Sequence, residues 1–184
     1  MDKQANKILL DIARRSIEAV VKQEPMSLSP IDHPDLQEEQ GVFVTLKIRG
    51  QLRGCIGRFT SDIPLYQLVS EMAISSATED PRFEFNRIKL SELDQLEIEI
   101  SVLSPLKQIT NPLGFELGKH GIFIRKGSRT GCFLPQVALE TGWSKEEFLS
   151  HCCSGKAGLA PDAWKREDVE IYTFTAEILE EKRE

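Results

Sequence analysis

Residues 41–59 read "GVFVTLKIRGQLRGCIGRF", and this segment limits the fold more than any other. Val42, Val44, Leu46 and Ile48 alternate with more polar neighbours, the period of a strand with one buried face. Gly50-Gln51 then predicts a Gly-X hairpin turn of the II′ kind. The return arm, "LRGCIGRF", has the length of a strand but keeps two glycines, two arginines and a cysteine. Glycine weakens a strand, so an arm that retains two needs a reason, either close packing or function.

The rest of the chain supplies partners for that hairpin. Ala5, Ile8, Leu9, Ile12, Ala13, Val20 and Val21 fall mainly at helical spacing, which predicts a helix over 5–22. A polar, proline-containing stretch up to residue 40 reads as a surface loop. Residues 61–78 predict a helix capped by Ser61 or Asp62, with Pro64 in its first turn and Leu65, Leu68, Val69, Met72 and Ala73 as its buried stripe. Asp80 before Pro81 ends it. "QLEIEISVLSP" is a clear strand, with Leu96, Ile98, Ile100 and Val102 on one face and Glu97, Glu99 and Ser101 on the other. A second hairpin turns through "KGSRTG". A helix starts near Pro135, another starts at a Ser144–Glu147 capping box, and "IYTFTAEIL" is a final strand. Strands and helices do not alternate regularly, so the expected class is α+β, a mainly antiparallel or mixed sheet flanked by helices. The 184 residues suit a single domain over 1–184, or one domain with a smaller lobe.

Charge narrows the function classes. A net charge of −6 without any Lys/Arg run argues against nucleic acid as a partner. The N-terminus is broken by charge, and no run approaches the length of a membrane span, so the expected location is the cytoplasm. Adjacent Cys152 and Cys153 do not suit a disulfide framework, and the four thiols read as reduced. His151, Cys152 and Cys153 splay around a helix and make a poor metal site, so no metal is assigned. "SGKAG" lacks the pattern of a P-loop and "GCIG" that of a dinucleotide fingerprint, and no cofactor is named.

Candidate chemistry centres on the return arm. Period two puts Arg53, Cys55 and Gly57 on one face, opposite Leu52, Gly54 and Ile56. A guanidinium beside a thiol favours thiolate, and Gly57 would leave room for an approaching group. Against this stands a small, buried cysteine with glycines where a neighbour packs close. His120, at the entry to a strand, is a candidate base for Cys55, or a structural histidine. Glu99 and Ser101 are candidate ligand groups, with Arg125 or Arg129 as cations for the acidic row; a solvated face is the alternative. Asp80 and Arg82 in "DPRF" read as a turn.

"LRGCIG" after "GVFVTLK", then "AISSATEDPRF", "LEIEISVLSP", "GKHGIFIRKGSRTGCFLPQV", "GWSKEEFL", "KAGL" and "DAW", occur in that order. In these blocks the chain strongly resembles the AMMECR domain family from about Ala5 to about Leu179, with the hexapeptide signature Leu52–Gly57 matched in full. The resemblance implies an α+β fold with a larger and a smaller lobe. It attaches no secure activity. It implies a modification pathway shared with Memo-like and radical S-adenosylmethionine proteins as partners. Two functions follow. One is an enzyme component in which Cys55 is the nucleophile, Arg53 its cation and His120 its base. The other is a binding or adaptor module in which Gly54 and Gly57 admit a partner to the backbone.

Overall fold

The computed structural model describes residues 1–181. The alternating apolar residues form β1 (Val42–Ile48), and the return arm forms β2 (Gln51–Arg58), paired antiparallel to it. The turn lies one residue earlier than the expected Gly50-Gln51. Arg49 (φ 51°) and Gly50 (φ 73°) are its central residues. Positive φ at both matches the twist of a type I′ hairpin rather than II′. β3 (Leu96–Leu103) pairs antiparallel with the other side of β1, and the sheet order is β2-β1-β3-β8, β8 being Ala176–Glu180.

One face of this sheet carries Val42, Val44, Leu46, Leu96, Ile98 and Ile100, all buried against helices. Those helices are α1 (Lys3–Lys22) and α3 (Leu65–Thr78). Asp2 caps α1, its carboxylate accepting from the Ala5 N–H at 2.8 Å, and Leu9, Ile12 and Ile17 form the inward stripe. The short α2 (Pro34–Gln37) interrupts the loop and buries Leu36. Neither Ser61 nor Asp62 caps α3, which begins after Pro64. Ser61 instead closes a local turn on Ile63, and the Glu38 carbonyl accepts from the Leu65 N–H at 2.9 Å.

The chain forms two compact units. One comprises Met1–Leu103 and the chain from Glu177, the other Ser104–Ala176. The second has its own sheet, in the order β4-β7-β5-β6, all antiparallel: β4 is Lys107–Ile109, β5 Gly121–Lys126, β6 Arg129–Phe133 and β7 Glu170–Phe174. Its core gathers Ile122, Ile124, Phe148, Leu149 and Trp164 under α4 (Pro135–Thr141) and α5 (Lys145–Gly155). The expected capping box on α5 is present, between Ser144 and Glu147. The class is α+β, as the pattern implies, with two sheets. The single strand expected over "IYTFTAEIL" is two strands, β7 and β8, which belong to different sheets. At the break between them the Thr175 N–H donates to Ser104 Oγ and the Ser104 N–H donates to the Thr175 carbonyl, both at 2.9 Å.

Gly54 explains how closely α3 sits on β2. A Cβ there would overlap the Ser76 carbonyl of α3. The Ser76 hydroxyl donates to the Val44 carbonyl at 2.8 Å and accepts from the Ile56 N–H at 2.9 Å, so the helix is bonded into the hairpin backbone. Gly54→Ala is therefore expected to destabilise the protein by about 1–3 kcal/mol, the usual cost of overpacking. Gly155→Ala, where a Cβ meets nothing within 4 Å, is expected to leave the urea midpoint unchanged or raised. Equal midpoints for the two variants would refute the close-packing account.

Candidate functional site

The register of the hairpin decides where the motif side chains go. Leu46 faces Gly54 and Lys47 faces Leu52, so Arg53 is an extra residue without an opposite, a β-bulge. Bulges re-aim the side chain they carry. The Arg53 guanidinium is 11% exposed and takes Glu92 as its partner, through Nη1 to Oε1 at 2.6 Å and Nη2 to Oε2 at 3.2 Å. Nη2 also donates to the carbonyls of Asn86 (3.2 Å) and Arg87 (3.4 Å). The Arg53 hydrogen bond holds the Glu92 carboxyl below the usual carboxylate range. Arg53 is thus committed to the segment between α3 and β3, and its hydrogen bonds do not go to Cys55.

Cys55 lies beyond the bulge, opposite Thr45, which in turn faces Glu99 across β1 and β3. The Thr45 hydroxyl donates to Cys55 Sγ at 3.2 Å. Burial pushes the Cys55 thiol pKa up; the Thr45 bond and the Arg82 cation pull it down, but not enough to offset burial. The cation that acts on the thiol is therefore Arg82 rather than Arg53.

Asp80 builds this corner. Its carboxylate is fully buried. Oδ2 accepts the Cys55 backbone N–H at 2.9 Å and Arg82 Nη2 at 2.6 Å, while Oδ1 accepts Arg82 N and Nε at 3.1 and 3.0 Å. Burial raises the pKa of Asp80, but the bonds from Arg82 and from the Cys55 N–H together outweigh it and hold the group below its ordinary value. Arg82, half exposed, also reaches the Cys55 carbonyl at 3.3 Å. In the sequence alone "DPRF" reads as a turn. The available signal was an aspartate two residues ahead of an arginine at the end of a helix.

The other expected site residues have separate settings. The space at Gly57 is filled: its cross-strand partner Phe43 lays its ring where a Cβ would stand. Glu99 pairs with Lys47 of β1 at 2.9 Å. Ser101 is fully buried on β3. Glu97, Glu99 and Lys47 line a cleft of about 640 Å³ with Arg49, Asp94 and Glu181; Cys55 and Arg53 are not in its lining. His120 and Arg125 belong to the second unit, whereas Cys55 and Arg53 belong to the first. His120 Nδ1 accepts the Glu116 N–H at 3.1 Å, which closes a turn before β5. Arg125 is paired with Glu170 at 2.6 Å and with the Tyr172 hydroxyl at 2.8 Å. Among the described residues no helix is long and apolar enough to cross a membrane, and no group of three His, Cys, Asp or Glu could hold a metal ion.

Comparison with known proteins places this geometry among relatives. The family model described as AMMECR1 matches residues 10–179. Protein PH0010 of Pyrococcus horikoshii is 44% identical over 95% of this chain and 88% of its own. Protein MK0488 of Methanopyrus kandleri is 49% identical over 80% of this chain and 74% of its own. The crystal structure of the uncharacterized protein PH0010 superposes with a TM-score of 0.90 at 42% identity, covering 99% of this chain and 94% of that one.

The thiol geometry has a direct test. Cys55 is expected to react with iodoacetamide more slowly at pH 7 than a free thiol does. Its rate should rise with pH through a midpoint above the ordinary value of about 8.5. Peptide mapping after timed alkylation measures both. A midpoint below that value would show an activated thiolate and overturn this description.

Proposed function

Because the chain belongs to the AMMECR1 family, we propose that it is a non-catalytic binding module of a cytoplasmic modification pathway, with Memo-like and radical S-adenosylmethionine proteins as its partners. The LRGCIG strand serves as the framework of its contact surface. One observation carries the reading: Cys55 is half-buried on β2, and burial raises its thiol pKa by more than the Thr45 hydrogen bond and the Arg82 cation lower it. A nucleophilic cysteine needs thiolate and a base within reach. Here burial opposes ionisation of the sulfur more than the hydrogen bond it accepts from Thr45 favours it.

The motif arginine supports the same reading. A guanidinium that recognises an anionic substrate keeps donors free for it. Those on Nη1 and Nη2 of Arg53 are directed at Glu92 and at two backbone carbonyls, and Nε is buried without a partner among the described residues. Gly54 and Gly57 are glycine because α3 and Phe43 occupy the space above them. These residues build a rigid strand whose use lies in what it holds.

The enzyme reading has two observations in its favour, the Thr45 hydroxyl that donates to the sulfur and the Arg82 guanidinium beside it, both of which act to lower the thiol pKa. A single binding experiment separates the two readings. The purified chain is titrated with the Memo-like and the radical S-adenosylmethionine protein of the same genome. It is expected to bind at least one of them, with Cys55→Ala changing Kd by less than about twofold. Failure to bind either protein, or loss of binding in Cys55→Ala at unchanged Tm, would refute the module reading.

A further inference from the structure

β2 is eight residues long and stands last in its sheet, with β1 on one side and, among the described residues, no strand on the other. An edge of that length offers backbone donors and acceptors to any second strand, and folded chains close such edges. At Cys55 the offer is doubled. In an antiparallel pair a residue turns its N–H and its C=O to the same side, and successive residues alternate sides. The Cys55 N–H and C=O both bond to groups outside the sheet, so both point away from β1.

The two groups that meet them work as one unit. Asp80 Oδ2 accepts the Cys55 N–H at 2.9 Å, and Arg82 Nη2 donates to the Cys55 carbonyl at 3.3 Å. The same two side-chain atoms are bonded to each other at 2.6 Å. An acceptor and a donor held side by side are what a residue of a neighbouring strand presents. The ion pair therefore stands in for a strand at this one position. The segment that carries it does not continue the ladder: Pro81 has no N–H to give, and Pro81–Phe83 coils into a 3₁₀ turn. The bulge at Arg53 interrupts the same strand, a second means by which edges are protected.

What the ion pair shuts out follows from symmetry. A two-fold axis at Cys55, normal to the sheet, sets a second β2 antiparallel to the first. Cys55 of each copy then gives its N–H to the other's carbonyl and receives the reverse bond. No other chain is needed, because the edge is its own complement. Leu52 is 37% exposed and Ile56 is only partly buried on this strand, so pairing would also cover apolar surface. Such pairing requires the segment carrying Asp80 and Arg82 to leave the edge.

We propose that the Asp80–Arg82 ion pair is an edge guard. It occupies the Cys55 backbone in place of a second copy of this chain and keeps the protein from pairing β2 to β2. The guard acts whatever the module binds, so it stands apart from the binding-module reading.

Asp80→Ala combined with Arg82→Met removes acceptor and donor together. Neither charge is then left without its counterion, and methionine keeps much of the arginine stem. Sedimentation equilibrium at matched concentrations compares this variant with the parent chain. The double variant is expected to self-associate at least about tenfold more tightly. Arg82→Lys keeps a donor and a counterion for Asp80, and its association is expected to stay within about twofold of the parent. Dibromobimane, which bridges only closely spaced thiols, reads the geometry. The associated double variant should give a Cys55–Cys55 cross-link between copies, found by peptide mapping. A folded double variant that associates no more than the parent overturns the guard. So does stronger association without that cross-link, which puts the contact on another surface, and so does Arg82→Lys associating like the double variant. If the double variant shows no cooperative melt, Arg82→Met alone decides, a milder change because the side chain is half exposed. Its association is expected to rise by about threefold, and association at the parent level overturns the guard.

Discussion

A single buried carboxylate organises the motif. Asp80 has no exposed surface, so its charge must be fully met inside the protein. The Cys55 N–H and the Arg82 side chain and backbone meet it. The first of these bonds also solves a problem of β2, which is an edge strand with β1 on one side only. An edge leaves backbone donors unpaired and open to another chain. Asp80 covers one of them, and the Ser76 hydroxyl binds its neighbour at Ile56. Removing the carboxylate would leave the Cys55 N–H without its partner and the Arg82 cation without its counterion.

From this contact the other motif positions follow. For α3 to deliver Ser76 and then Asp80 onto β2, the helix must lie against the strand backbone, which is possible only where residue 54 lacks a Cβ. Where the strand bulges, Arg53 leaves the alternation and reaches Glu92 instead of standing beside Cys55. On the opposite face, Phe43 covers Gly57 and Thr45 bonds the thiol. Each of Arg53, Gly54, Cys55 and Gly57 thus has a structural partner, and together they fix the segment that leads from α3 into β3.

Much of the fold was legible from residue pattern. The alternation over Val42–Ile48 and Leu96–Val102 and the helical stripes of α1 and α3 depend on local period, which a sequence displays directly. The expected II′ turn missed by one residue because Arg49 takes a positive φ that its side chain does not advertise. The division of "IYTFTAEIL" between two sheets was hidden for a related reason, since period two is the same on both sides of the break. The site was less legible. Pattern placed Arg53 and Cys55 on one face, and the bulge separated their roles. A bulge is a matter of register between two strands, and one strand's sequence does not contain it. Asp80 and Arg82 were visible only as a turn, because their importance comes from the strand they meet, 25 residues earlier in the chain for the bond between Cys55 and Asp80.

The account turns on the motif strand acting as the clamp of residues 81–89. Hydrogen exchange in Arg53→Met tests this most directly, read peptide by peptide against the parent protein. The account predicts faster exchange at the amides of Arg82, Phe83, Glu84 and Asn86, which the loop's own bonds protect, with β1 and β3 unchanged. Unaltered exchange in that loop, or faster exchange spread evenly through the first unit, would contradict it.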